Sequence, residues 1–275
     1  MTAHDSAREA LNWLASLPAS TRDTLPVPLV EAEAYMALRD WTGLEKRLTG
    51  QRWKEQDFLR LALLARAFRE QGQRDTGNAN WLLAVNAATG KVEALAVLAQ
   101  VAGSWGWQSE VEDLLWVIVR RSPGAEWALK NLLQGYAAKN DTPGLYRVYQ
   151  ALLKNHPQAV EIKNNVAALG LLLNRDKIES GRLAREVYET GKTNALLVST
   201  HAFALHTQGK TAEGLKLMQT LPEPELLRPN IALYYAVLLA AAGDGDQAKP
   251  YFDAAEKSPM FPEERRLLDQ ARRGN

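Results

Sequence analysis

Apolar side chains return along this chain in alternating steps of three and four. Leu61, Leu64, Ala65 and Phe68 show the pattern, as do Leu129, Leu132, Leu133 and Tyr136, and Ala232, Tyr235, Ala236 and Leu239. Such spacing places each set on one stripe of a helix. The third member of each set recurs as Ala32, Ala65, Leu98, Leu133, Ala167, Ala202 and Ala236, a period of about 34 residues. A break follows every anchor: Arg39-Asp40, Gln71-Gly72, Gly103-Ser104, Asn140-Asp141, Asn174-Arg175, Gln208-Gly209 and Gly243-Asp244. Gly and Asn let a helix end through a left-handed turn. A second apolar helix follows each break, carrying Leu44 and Leu48, Trp81 and Ala84, Leu115 and Ile118, Leu145 and Tyr149, Leu183 and Val187, Leu215 and Met218, then Ala248 and Phe252. Pro123, Pro157, Pro222 and Pro259 lie near the ends of several of them, where proline stops a helix. No stretch alternates in the manner of a strand, so the pattern predicts an all-α chain of about seven helix pairs.

These repeats resemble the tetratricopeptide repeat family, whose motif runs W-x₂-L-G-x₂-Y, A-x₃-F and P over about 34 residues. The last repeat matches through Tyr235-Ala236, Leu239, Gly243-Asp244, Ala248, Phe252 and Ala255. The fourth matches through Leu132-Leu133, Tyr136, Leu145, Tyr149 and Pro157. The fifth runs on through Leu171-Leu172-Leu173, the third needs one extra residue before Val111, and the first has Pro28 and Glu31 where apolar residues are usual. The resemblance covers residues 25–262. It implies a right-handed superhelical solenoid whose first helices line a concave groove, where partners bind as extended or helical peptides.

Residues 1–24 precede the repeats and carry Ala10, Leu11, Trp13, Leu14 and Leu17 on an amphipathic helix closed by Pro18. This segment reads as a cap or as the remnant of a further repeat, so the chain is expected to be the C-terminal part of a longer protein. Residues 263–275 read as a capping helix, with Leu267, Leu268 and Ala271 inward and Arg265, Arg266, Arg272 and Arg273 outward. A terminal repeat needs such a polar outer face.

Composition narrows the chemistry. Lys and Arg number 33 against 32 Asp and Glu, a net charge of +1, which argues against a large nucleic-acid footprint. The chain has no cysteine, so disulfides, thiol catalysis and thiolate zinc sites are excluded. The longest apolar run, Ile231–Ala242, falls short of the roughly 20 residues a membrane span needs. The start lacks a basic-then-apolar pattern, so no signal peptide is expected in this chain; the default expectation is a cytoplasmic protein, with the compartment open if the chain is a fragment of a longer exported or membrane-anchored protein.

Gly191-Lys192-Thr193 and Gly209-Lys210-Thr211 look like phosphate loops, but Glu186 and Ala204 occupy the positions where the motif needs glycine. Gly243-Asp244-Gly245-Asp246 lacks the carboxylate spacing of a calcium loop. His201 and His206 are not at the four-residue spacing that brings two ligands to one helical face. The chain therefore reads as a non-enzyme with no cofactor and no metal. Its eight tryptophans all lie between Trp13 and Trp127. Most are expected to pack, Trp105 and Trp107 as wedges at a helix break, and Trp127 is the candidate for contact with a partner.

The side chains expected to face the groove are Arg66 and Arg69 in the second repeat and Trp127, Lys130, Asn131 and Gln134 in the fourth. Glu161, Asn164, Asn165 and Ala168 follow in the fifth, Ser199, Thr200, Phe203 and His206 in the sixth, and Leu233 and Tyr234 in the last. Asn131 and Asn165 stand at equivalent points of adjacent repeats. An amide both donates and accepts, so it can satisfy a peptide backbone. The pair resembles the asparagine ladders of peptide-binding family members. Lys130 and Asn165 also fit part of the family's carboxylate clamp, but Leu196 and Thr200 stand where its third repeat has cations. The expected function is that of a protein-interaction scaffold or adaptor binding a peptide or protein segment of unknown identity, with self-association possible. The alternatives are a non-catalytic regulatory or targeting part of a larger enzyme or membrane-associated assembly, and a small-molecule or lipid carrier.

Overall fold

The computed structural model describes residues 3–273; residues 1–2 and 274–275, and with them the expected start at Met1, lie outside that description. Every regular element among the described residues is a helix, joined by turns and short linkers, with no strand among them. Two compact units divide the chain, Met1–Ser122 and Pro123–Asn275.

The first unit opens with α1 (Ala3–Ala15) and a short α2 (Ala19–Arg22). Three pairs follow: α3 (Val27–Leu38) with α4 (Trp41–Leu48), α5 (Asp57–Glu70) with α6 (Arg74–Ala88), and α7 (Val92–Ser104) with α8 (Gln108–Arg121). The second unit holds four pairs and a last helix. The pairs are α9 (Glu126–Ala138) with α10 (Thr142–Asn155), α11 (Val160–Leu172) with α12 (Lys177–Thr190), α13 (Ala195–Thr207) with α14 (Thr211–Met218), and α16 (Pro229–Ala241) with α17 (Gly245–Ala255). A short α15 (Glu223–Leu226) leads into α16, and α18 (Pro262–Arg273) closes the chain. In the second unit α11 packs on α13 and α13 on α16, so first helices lie side by side, and α18 packs on α16.

All seven pairs turn in the same way. The amide of Asp40 reaches back to the carbonyl of Tyr35, Gln73 to Phe68, Trp107 to Ala102, Asp141 to Tyr136, Arg175 to Gly170, Lys210 to Leu205 and Asp244 to Leu239. This five-residue reach satisfies carbonyls that the helix end leaves without partners. The left-handed residue that permits it is Arg39, Gly72, Gly106, Asn140, Asn174, Gly209 or Gly243. Six turns fall where the sequence breaks. The third does not: Gly103 stays inside α7 and the chain turns at Gly106, which lies 34 residues from both Gly72 and Asn140, so the true repeat position in α7 is Ala99, one residue beyond Leu98.

Small residues set the distance between paired helices. Ala65, Ala167, Ala202 and Ala236 are fully enclosed. Gly214 faces Ala202, where a Cβ would lie 2.6 Å from the Ala202 carbonyl oxygen. Gly144 faces the Tyr136 ring, which such an atom would meet at 2.3 Å. Leu133 departs from this pattern and is only half-buried, while Leu129, Leu132 and Tyr136 carry the α9 core. Trp13 likewise points outward, 64% exposed, and Ala7 and Leu14 are the side chains α1 buries.

The first repeat deviates for an electrostatic reason. Glu31, where an apolar residue is usual, is 1% exposed and held between two cations. Its carboxylate accepts from Arg22 Nε at 2.7 Å and from Arg47 Nε. Arg47 also bonds the Arg22 carbonyl and pairs with Asp23 at 3.0 Å. A buried carboxylate is tolerated only when so compensated.

Candidate functional site

In the first unit the two expected groove cations are engaged by neighbours. Arg66 lies among tryptophans, its guanidinium 5.6 Å from the ring centres of Trp41 and Trp105 and 5.8 Å from Trp107. It also pairs with Glu70 at 2.8 Å. Arg69 sits 4.0 Å over the Trp107 ring, donates to Asn78 and pairs with Glu110 at 2.6 Å. Trp105 and Trp107 meet edge to face at 4.9 Å, and Trp107 meets Trp81 at 5.4 Å. Cations over indole faces in this geometry bind the α5–α6 and α7–α8 turns together.

In the second unit the first helices present equivalent positions in a row. Trp127, Glu161, Leu196 and Asn230 are the second residues of α9, α11, α13 and α16, and all four are exposed. One turn further in, exposure falls from repeat to repeat. Lys130 is exposed, whereas Asn164, Ser199 and Leu233 are buried. Asn131 is exposed and Asn165 half-buried. The Asn131 amide donates to the Trp127 carbonyl of its own helix at 2.8 Å. Asn165 hydrogen-bonds the Tyr149 hydroxyl, whose pKa burial raises. The Oδ1 of Asn164 is buried with no hydrogen-bond partner among the described residues. Ser199 and Thr200 both donate to the Leu196 carbonyl. Trp127, Lys130, Asn131 and Gln134 thus form an open stripe along α9, with Trp127 44% exposed.

The remaining expected residues lie near the chain's own last helix. α18 crosses the C-terminal ends of α11, α13 and α16. Leu267 and Gln270 share one cleft with Phe203 and Leu171, and another with His206, Val237 and Ala240. Phe203 and Tyr234 rings meet at 4.9 Å, and Phe203 stacks on His206 at 6.1 Å. Burial lowers the His206 pKa, favouring the neutral ring, and its Nδ1 meets the Thr211 hydroxyl at 3.0 Å. The Tyr234 hydroxyl donates to Glu264 at 3.2 Å, and the fully buried Thr142 donates to Glu263 at 2.6 Å. Glu264 also accepts from the Phe261 amide at 2.9 Å, capping its own helix.

Sequence reasoning placed Leu267, Leu268 and Ala271 inward but did not find Thr142, Glu263 or Glu264 as the groups that dock the helix. The signal was confined to a capping pattern, Glu three residues into a helix start. Nothing local in it says what the second carboxylate oxygen meets. Elsewhere, no three or more His, Asp or Glu side chains among the described residues stand in a metal-binding group. Nor is any helix among them long and apolar enough to cross a membrane.

No protein-family model matches this sequence, and no curated protein matches it. Among solved structures it is similar to a tetratricopeptide repeat protein from Parabacteroides merdae, at 15% identity over 97% of this chain and 99% of that one, with a TM-score of 0.41. Yeast Tom70 is similar at 10% identity over 99% of this chain and 64% of that one, TM-score 0.38. The tetratricopeptide repeat domain of P58(IPK) is similar at 12% identity over 98% and 93%, TM-score 0.28. The helix pairs, their period and their shared left-handed turns make this an all-α repeat protein that resembles the tetratricopeptide repeat family.

Proposed function

We propose that this chain is a non-catalytic protein-interaction scaffold, and that the face of first helices in its second unit takes a peptide or protein segment from a partner. The observation that carries this reading is the open stripe on α9. Trp127, Lys130, Asn131 and Gln134 follow at helical spacing and all remain exposed, while Ala128, Leu129 and Leu132 fill the core. An exposed indole beside amides and one ammonium combines large apolar area with few rotatable bonds, the composition of an interface anchor. Leu196, 39% exposed at the equivalent point of α13, extends the apolar contact. Lys130 favours a segment with a carboxylate near that anchor.

The test compares affinity capture by the wild-type chain with capture by Trp127→Ala and Lys130→Glu. Proteins retained by the wild type and lost from both variants, at unchanged melting temperature, are the expected result. Equal retention by all three chains would place the interaction surface elsewhere.

A further inference from the structure

The last helix occupies part of the same face, and its fit there is incomplete. Only Leu268 is fully enclosed, while Leu267 and Ala271 are half-buried. A cleft of ≈ 530 Å³ remains beside Leu267 and Gln270 against Phe203 and Leu171, and another of ≈ 270 Å³ remains beside Ala271 against His206 and Val237. Both clefts open to solvent along the edge of α18, so they are unfilled surface beside the helix. The polar contacts are better formed. Two consecutive carboxylates in the first turn, Glu263 and Glu264, accept from Thr142 and Tyr234. Arg265 and Arg272 pair with Glu256, and Arg272 with Asp253 at 3.7 Å, as surface pairs that stabilise little, and the Arg272 guanidinium also lies 5.2 Å from the Phe252 ring centre.

We propose that α18 is a displaceable intramolecular ligand, holding its face until a partner helix replaces it. The partner would be an amphipathic helix that begins with paired carboxylates and carries bulky apolar side chains where α18 has Gln270 and Ala271. Its carboxylates reproduce the bonds to Thr142 and Tyr234. Its larger side chains fill the two clefts and so gain apolar burial that α18 forgoes. This is the mode in which an amphipathic helix lies in a groove and is read by residues at helical spacing. A bound competitor must overcome the high effective concentration of a tethered helix. A loosely packed resident keeps that barrier low. The proposal deepens the scaffold reading and rests on it for the existence of a partner.

The experiment uses the full chain and two labelled peptides. One has the sequence of residues 259–273; the other carries Gln270→Leu and Ala271→Leu. Fluorescence anisotropy is measured with the wild-type chain, with the latch-weakened double variant Glu263→Ala and Leu268→Ala, and with Trp127→Ala. The substituted peptide is expected to bind the wild-type chain, and both peptides to bind the double variant at least tenfold more tightly than the wild type. Failure of both peptides to bind the double variant while its repeats stay helical overturns the proposal. Hydrogen exchange of the wild type guards against a variant that unfolds. Amides of α18 should exchange well before those of α16, and exchange at a common rate shows a permanent cap and overturns the proposal. Peptide binding by Trp127→Ala at wild-type strength separates this test from that of the scaffold surface, since either can fail alone.

Discussion

Thr142 and Glu263, 121 residues apart in the chain, meet through a hydroxyl-to-carboxylate hydrogen bond of 2.6 Å. Thr142 opens α10 and Glu263 lies in the first turn of α18, so the bond ties the start of the second unit to its end. Thr142 has no exposure at all, and the Glu263 side chain keeps 17%. A hydrogen bond to a charged group in such surroundings contributes about 1.5–3 kcal/mol. Thr142→Val keeps the shape and removes the donor. It should speed hydrogen exchange of the α18 amides while leaving those of α13 nearly unchanged. Equal acceleration in both helices would mean that the bond serves the cooperative core instead.

The neighbouring carboxylate makes the same helix sensitive to pH. Burial raises the Glu264 pKa, opposed by its bonds from Phe261 and Tyr234, and the charge of Glu263 adds to the rise. The docked state therefore binds this proton more tightly than the undocked state. Docking is favoured below the ordinary glutamate value of about 4.3, and that contribution is lost as pH rises through the docked value. Protection of α18 should increase on mild acidification from neutrality, and Glu264→Gln should remove that increase. Glu186 behaves in the opposite sense. Its bond from Lys163 lowers its pKa, so its contribution falls with acid, and α12 serves as the internal control.

Close helix approach predicts a second class of effects. Gly214→Ala places a methyl group 2.6 Å from the Ala202 carbonyl and 3.0 Å from Leu238. Backbone cannot yield as a side-chain tip can, and the cost should be about 1–3 kcal/mol. Ala202→Leu should destabilise the same crossing from its other side. A thermal melt of each variant reads this directly, and an unchanged midpoint would mean that α13 and α14 separate without loss.

The charge cluster of the first repeat yields a larger effect. Glu31→Ala leaves Arg47, only 14% exposed, without its buried partner. Removing one member of such a cluster costs about 3–5 kcal/mol. Denaturant unfolding should show a first transition moved to lower concentration, with the second unit unaffected. Glu31→Gln should fall between the two, since an amide can accept from one arginine but carries no charge.

Much of this molecule can be read from local spacing. A helical stripe depends on residues three and four apart, and a helix-ending turn on one residue that accepts a left-handed backbone. Ala65, Ala167, Ala202 and Ala236, Asn140 and Asn174, and the Gly209 and Gly243 turns were therefore visible in the chain alone. So too was the return of Gly43, Gly77, Gly144 and Gly214 near the starts of second helices. Other features needed the third dimension. Whether Glu31 could be buried depended on Arg22 and Arg47 arriving from two other helices. Arg66 and Arg69 have the periodicity of groove residues, yet the packing of Trp41, Trp105 and Trp107 decided where their charges go. The position of α18 is the clearest case. Its sequence shows an apolar stripe and a capped start, and both would suit any apolar surface. Only the stacking of four helix pairs brings Thr142, Phe203 and Tyr234 to one face, because contacts between residues so far apart in the chain arise from packing geometry and leave no periodic trace in sequence.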